Sequence, residues 1–181
     1  MFCATCGHSL QSPALTCVRC GRAPLERGLA AMRDADYQSA SEHFLEALAE
    51  GEDKVAALLL LAHNYWLQAD LSAATDWLQQ VIILAPEQAY AHALLGSVLL
   101  ARRQFAAARE CLDVALSLAP DDMRVRISRA EYFYQSERYA ETIGELGHAL
   151  RLPAPSPAVR AYARDLLRAA QARKGLVCSP G

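Results

Sequence analysis

The chain has almost no net charge, few aromatic residues and no long apolar run. Its 18 lysines and arginines nearly balance 20 aspartates and glutamates, leaving a formal charge of −2. That balance removes any global attraction to a polyanion and leaves only a local basic patch open. The longest apolar stretch, Val55–Ala62, falls far short of the roughly 20 residues that cross a bilayer. Met1-Phe2-Cys3 has neither a basic n-region nor an apolar h-region, so the expected location is the cytoplasm, without a signal peptide or a membrane span. Catalytic motifs are missing as well. His43, His63, His92 and His148 belong to different segments, none in an H-E-x-x-H pair, and there is no glycine-rich phosphate loop or G-x-S-x-G turn. An enzyme is therefore the least supported class. What the chain does have is 53% hydrophobic residues over 181 positions, enough apolar surface to offset ordering entropy and exclude disorder.

Four of the six cysteines open the sequence as Cys3-x2-Cys6-x10-Cys17-x2-Cys20, and Cys111 and Cys178 stand alone. In a reducing compartment, paired C-x-x-C turns point to a metal rather than to disulfides. Each turn brings two thiolates to one edge of a tetrahedron, and two turns close a structural S4 site with no open position. Gly7 and Gly21 follow the pairs and let each knuckle curl so that backbone N–H groups reach sulfur. The expected ion is structural Zn2+, with iron in a rubredoxin-like site left open by the spacing. The stretches Phe2–Leu10 and Cys17–Leu25, each C-x-x-C-G-x-x-L in outline, resemble the zinc-ribbon modules of many bacterial proteins. The resemblance implies a structural site at residues 1–23, in which His8 is not a ligand. So short a module takes its folding free energy largely from the metal.

The remainder repeats every 34 residues. Tyr37, Leu71, Phe105 and Tyr139 form one column, Ala40, Ala74, Ala108 and Thr142 a second, and Phe44, Leu78, Leu112 and Leu146 a third. Upstream runs a column of small residues, Gly28, Ala62, Gly96 and Ala130. Apolar residues at i, i+3/i+4 and i+7 within each unit mark two amphipathic helices joined by a tight turn. The small column lets the paired helices approach closely, and Pro86 and Pro120 end the second helix. Leu58, Leu61, Ala62, Tyr65, Ala74, Leu78, Val81 and Pro86, followed by Leu95, Gly96, Leu99, Ala108, Leu112, Ala115 and Pro120, resemble the tetratricopeptide repeat motif. The resemblance implies an all-α, right-handed solenoid of four helix pairs, about 21–54, 55–88, 89–122 and 123–156, so that the array covers 24–156. A capping helix at 157–174 and a tail at 175–181 follow.

Two copies depart from the pattern. Pro24 and Arg27 stand where repeat one should be apolar, so its first helix is expected to start late. Arg126 and Arg129 occupy packing positions of repeat four, where only their stems are expected to be buried. The capping helix is expected to bury Val159, Tyr162, Ala163, Leu166 and Ala170, with Arg160, Arg164 and Arg168 on a solvated face. Trp77 lies outside the packing columns and would mark a second contact surface if exposed.

In the tetratricopeptide family the first helix of each repeat lines a concave groove. Carried over residue by residue, that implies a partner groove of Leu59, His63, Trp66, Tyr90, Leu94, Ser97, Arg124, Ile127, Glu131 and Tyr134. The aromatic members are the favoured anchors, and the set suits an amphipathic or extended segment of another protein. The basic clamp that some family members use for an acidic C-terminal peptide is absent, because those positions hold Leu25, Leu29, Leu60, Arg124 and Ser128. The expected function is thus a non-enzymatic scaffold that binds a protein or peptide segment, with self-association left open. One alternative is a chaperone similar to those of type III secretion, shielding apolar client segments. The other is a zinc-ribbon adaptor on nucleic acid, disfavoured because Arg19, Arg22 and Arg27 are sparse and lack interleaved aromatics. The degenerate first repeat is expected to rely on the zinc module as its cap. Metal analysis should therefore find one zinc per chain, and chelation should lower the melting temperature of the helical array as well as releasing the metal. Melting curves unchanged by chelation would make the zinc a purely local brace.

Overall fold

The structure, a computed structural model, describes residues 24–51 and 53–177. Cys3, Cys6, Cys17 and Cys20, and with them the expected zinc ribbon, lie outside the described residues, as does Cys178. Among the described residues there are nine helices and no strand: α1 (Pro24–Arg33), α2 (Tyr37–Glu50), α3 (Lys54–Leu67), α4 (Leu71–Leu84), α5 (Ala89–Ala101), α6 (Phe105–Leu118), α7 (Met123–Gln135), α8 (Tyr139–Ala149) and α9 (Pro157–Val177). The column Tyr37, Leu71, Phe105 and Tyr139 supplies the first residue of each second helix.

The turns between paired helices share one conformation. Ala35, Ala69, Arg103 and Glu137 all have positive φ, from 58° to 62°, and sit one period apart. None is glycine, although this region costs L-residues about 1–2 kcal/mol. The left-handed residue reverses the chain quickly enough for the next helix to begin two residues later. In the first two turns an aspartate follows and caps that helix. Asp36 accepts from the Ser39 N–H at 3.1 Å and Asp70 from the Ala73 N–H at 3.0 Å, satisfying donors that the helix leaves orphaned.

The chain divides into two compact units, up to Trp77 and from Leu78 onward, with the boundary inside α4. In the first unit, Ala40, Phe44 and Leu61 are fully buried, with Leu60, Tyr65 and Trp77 packed around them. Trp77 thus belongs to the packing and does not offer the second contact surface considered above. Asn64 is also buried. Its Nδ2 donates to Tyr37 O at 2.8 Å and lies 2.7 Å from Ser41 Oγ, tying α3 to α2. Arg27, the polar residue of repeat one, pairs with Glu46 at 2.8 Å, linking α1 to α2.

In the second unit, α5 packs on α6 and α7, α7 on α8, and α9 on α8 and α7. Ile127, Ala130, Leu146 and Ala163 form one core, with Val159 and Leu166 against it, while Leu100, Ala108 and Leu112 form another. The arginines of repeat four bury more than their stems. Arg126 donates to Pro120 O at 2.7 Å and pairs with Glu145 at 3.0 Å, its side chain 12% exposed. Arg160, expected on a solvated face, donates instead to Leu150 O and Leu152 O, both at 3.0 Å. Pro153 and Pro155 cannot extend the α8 ladder, so this guanidinium supplies the donors that its last turn lacks. Tyr162 is not buried as expected but 49% exposed, because its hydroxyl reaches out to a carboxylate on α7.

The small-residue column sets the helix spacing. A Cβ added to Gly96 would sit 2.7 Å from Leu112 Cγ and 3.3 Å from Ala108 O, whereas one added to Gly144 meets nothing within 4 Å. Gly96→Ala should therefore destabilise by about 1–3 kcal/mol through overpacking. Gly144→Ala, in an open helix interior, should stabilise by about 0.5–1 kcal/mol. Urea unfolding of the two variants checks both signs.

Candidate functional site

Within the second unit the first helices of successive pairs lie side by side, with α7 between α5 and α9. The face they make carries two polar assemblies. The first is built at the start of α7. Asp122 is the N-cap, accepting from the Arg124 N–H at 2.7 Å. The same carboxylate takes the Arg124 side chain as a fork, Nε at 3.2 Å and Nη2 at 2.6 Å. Arg124 also lies over the Tyr90 ring, 4.3 Å from its centroid, a cation–π arrangement. Burial works against the Asp122 charge, but the hydrogen bonds and charge of Arg124 outweigh it and hold that carboxyl below its ordinary range. Its hydrogen bonds with Asp122 likewise push the Arg124 guanidinium further up. Arg124 is thus pinned on two sides yet keeps 40% of its side chain exposed.

The second assembly runs from α5 across α7 to α9. Ser97 Oγ lies 3.3 Å from both Ala93 O and Ser128 Oγ, on the same face as the Glu131 carboxyl. The Tyr162 O–H donates to Glu131 Oε1 at 2.6 Å. Burial pushes Glu131 up from the usual carboxylate range, only partly opposed by Tyr162 and Ser97. Burial, and then the charge of Glu131, pushes the Tyr162 hydroxyl up as well.

The expected groove residues separate on this structure. Leu94, Ser97 and Ile127 are buried and lie beneath the accessible face. Ile127 packs into a core with Leu146 of α8 and Ala163 of α9, and Ser97 bridges α5 to α7 through Ser128. Tyr90, Arg124, Glu131 and Tyr134 are half-buried and reach the surface. Tyr134 meets Tyr139 edge-on, with 5.6 Å between ring centroids. Leu59, His63 and Trp66, also half-buried, belong to the first unit. The accessible part of the α5–α7–α9 face is therefore more polar than the expected apolar groove. Sequence reasoning overlooked Asp122 and the outward turn of Tyr162. The aspartate was legible as an N-cap two residues before an arginine. Glu131 itself marks a polar residue at a periodic position that Ser97 and His63 also occupy.

Among the described residues no cluster of histidine, cysteine, aspartate or glutamate could hold a metal ion. The Cys111 thiol is pushed up by burial, away from the thiolate form that nucleophilic chemistry needs. No helix of the described residues is long and apolar enough to cross a membrane.

No protein-family model matches the chain, and no curated protein matches it in sequence. Solved structures do. A thermophilic tetratricopeptide repeat protein of Thermus thermophilus, TTC0263, superposes with a TM-score of 0.71 at 19% identity, over 84% of this chain and 87% of that one. MamA from Desulfovibrio magneticus RS-1 gives a TM-score of 0.57 at 19% identity over 85% and 90% of the two chains. A chain of the APC/C hetero-tetramer Cut9–Hcn1 gives 0.64 at 21% identity, covering 81% of this chain and 29% of that one. The fold is that of tetratricopeptide repeat proteins.

Because Glu131 is raised, its contribution to stability is complete below the unfolded-state pKa and is lost as pH rises through the folded-state value. Glu131→Gln keeps an acceptor for Tyr162 and removes the poorly solvated charge. Its melting temperature relative to wild type should rise between acidic and neutral pH. A parallel pH dependence of the two proteins would contradict the assignment.

Proposed function

We propose that this protein is a non-enzymatic interaction module of the cytoplasm that binds a segment of another protein on the α5–α7–α9 face. The observation that carries this reading is Arg124, held by the Asp122 fork and the Tyr90 ring at 2.6 Å and 4.3 Å and still 40% exposed. A cation fixed in this way loses little conformational entropy when a partner carbonyl or carboxylate engages its remaining donors. Tyr134 at the far end of α7 and Tyr162 of α9 add amphipathic rings along the same face, residues that favour protein contacts. Partner binding is in keeping with the fold, which also occurs in a chain of the Cut9–Hcn1 hetero-tetramer. The polar character of the accessible face favours an extended segment with hydrogen-bonding groups over the shielding of a purely apolar client. In the first unit, Leu59, His63 and Trp66 are a separate candidate surface.

The N-terminal cysteines Cys3, Cys6, Cys17 and Cys20 complete the proposal as a structural zinc site. Four thiolates suit a soft, tetrahedral, closed centre, which braces the start of the chain and performs no chemistry.

Wild type and an Arg124→Ala/Tyr134→Ala variant, matched in helicity by circular dichroism, should differ in recovery of a specific partner from native cytosol. Titration of that partner should show affinity lower by at least tenfold in the variant, about 1.4 kcal/mol. Equal affinity would remove the α5–α7–α9 face from the function. Loss in Trp66→Ala alone would transfer it to the first unit.

A further inference from the structure

A second cluster of charge lies in the second unit, away from Arg124. A hollow of about 100 Å³ is lined by Arg109 and Asp113 of α6, Arg129, Tyr132 and Phe133 of α7, and Arg138. Arg129 and Arg138 both lie over the Phe133 ring, 5.4 and 4.6 Å from its centroid, which fixes two guanidinium planes at the wall.

The ion pairs around this hollow do not balance. Arg138 is matched by Glu141, at 2.8 Å. Among the described residues, however, Arg109, Arg126 and Arg129 share only Asp113 and Glu145. Asp113 lies 3.5 Å from Arg109 and 4.0 Å from Arg129. Glu145 gives its short contact, 3.0 Å, to Arg126 and meets Arg129 only at 3.6 Å. Three guanidiniums thus face two carboxylates, and the surplus rests on Arg129. Both of its ion-pair contacts exceed hydrogen-bond distance, and its side chain is 27% exposed. A partly desolvated positive surplus beside a cavity favours an anion.

Size and donor geometry narrow the choice. The hollow is far below the roughly 300–1,000 Å³ of pockets that enclose whole drug-sized molecules, so it takes a group and not a complete nucleotide. Arg109, Arg129 and Arg138 line the hollow and together carry more donors than the two oxygens of a carboxylate accept, whereas a tetrahedral oxyanion can accept from all three. We propose that the hollow between α6 and α7 is a phosphate-binding site, with Arg129 as its principal ligand, Arg109 and Arg138 as flanking ligands, and Asp113 as a resident competitor that the phosphate displaces. This site is independent of the α5–α7–α9 face.

The test uses the full chain at constant ionic strength, with chloride replacing each anion. Inorganic phosphate, a phosphoserine-containing peptide and acetate are titrated while the arginine Nε–H resonances are followed by NMR. Saturable shifts of Arg129 with phosphate or phosphoserine, and none with acetate, are expected. Arg129→Gln should weaken binding at least tenfold. Arg109→Gln, on an exposed side chain, should weaken it severalfold with the fold intact. Asp113→Asn should tighten binding, which no purely structural role for that ion pair would produce. Tighter binding of the phosphoserine peptide than of inorganic phosphate would identify a phosphorylated protein as the source, and the reverse would identify free phosphate. Absence of saturation, equal response to acetate, or weaker binding in Asp113→Asn would overturn the proposal.

Discussion

The close approach of paired helices at Gly28 in the first unit and at Gly96 and Ala130 in the second is the constraint from which the rest follows. Gly28 and Gly96 have room for no side chain, since an added Cβ would run into Phe44 or Leu112. With the helices this near, the large residue sixteen positions on, Phe44 or Leu112, can reach across the pair and be fully excluded from water. The hydrophobic effect then acts on a contact repeated once per unit. Where the small residue is alanine, as at Ala130, the facing Leu146 occupies the same core. The spacing also decides where polar groups can lie. Where the first helices α5 and α7 meet, Ser97 Oγ and Ser128 Oγ lie 3.3 Å apart, and Glu131 one turn on accepts from Tyr162.

Much of this architecture was legible beforehand, because the 34-residue period couples sequence to packing directly. The columns name the helix starts, the small contact residues and the buried apolar faces. What periodicity could not show is which side chains at a given level come to be used by their neighbours. Tyr162 sits at an apolar-looking register, but the Glu131 carboxylate draws its hydroxyl outward. Arg160 reads as one member of a charged stripe until the proline-broken end of α8 leaves carbonyls within its reach. Asn64 interrupts an otherwise apolar register, since Val98 occupies that place in the next repeat. The candidate groove was drawn by register and not by exposure: Leu94 and Ile127 fall at groove positions of the repeat yet are buried, Ile127 in a core with Leu146 and Ala163. The four N-terminal cysteines carry their chemistry in spacing alone.

Electrostatics in the second unit follow one rule at two places. At the start of α7, one carboxylate fixes one guanidinium through two of its donors, and Tyr90 holds the result in place. Between α6, α7 and α8, three guanidiniums divide two carboxylates and leave one of them under-served. A balanced pair fixes one group, and an unbalanced network leaves a charge in surplus. The two clusters therefore differ in kind, although both are built from arginine, carboxylate and an aromatic ring.

The left-handed residues between paired helices are fixed locally, by the helix that each one ends. The N–H groups that follow Ala35, Ala69, Arg103 and Glu137 bond carbonyls five residues back, Asp36 to Ala31, Asp70 to Tyr65, Gln104 to Leu99 and Arg138 to Phe133, at 2.8–3.0 Å. That pattern satisfies the last carbonyls of a helix whatever follows it. Each chain reversal is thus written into a single helix end and needs no partner helix to specify it.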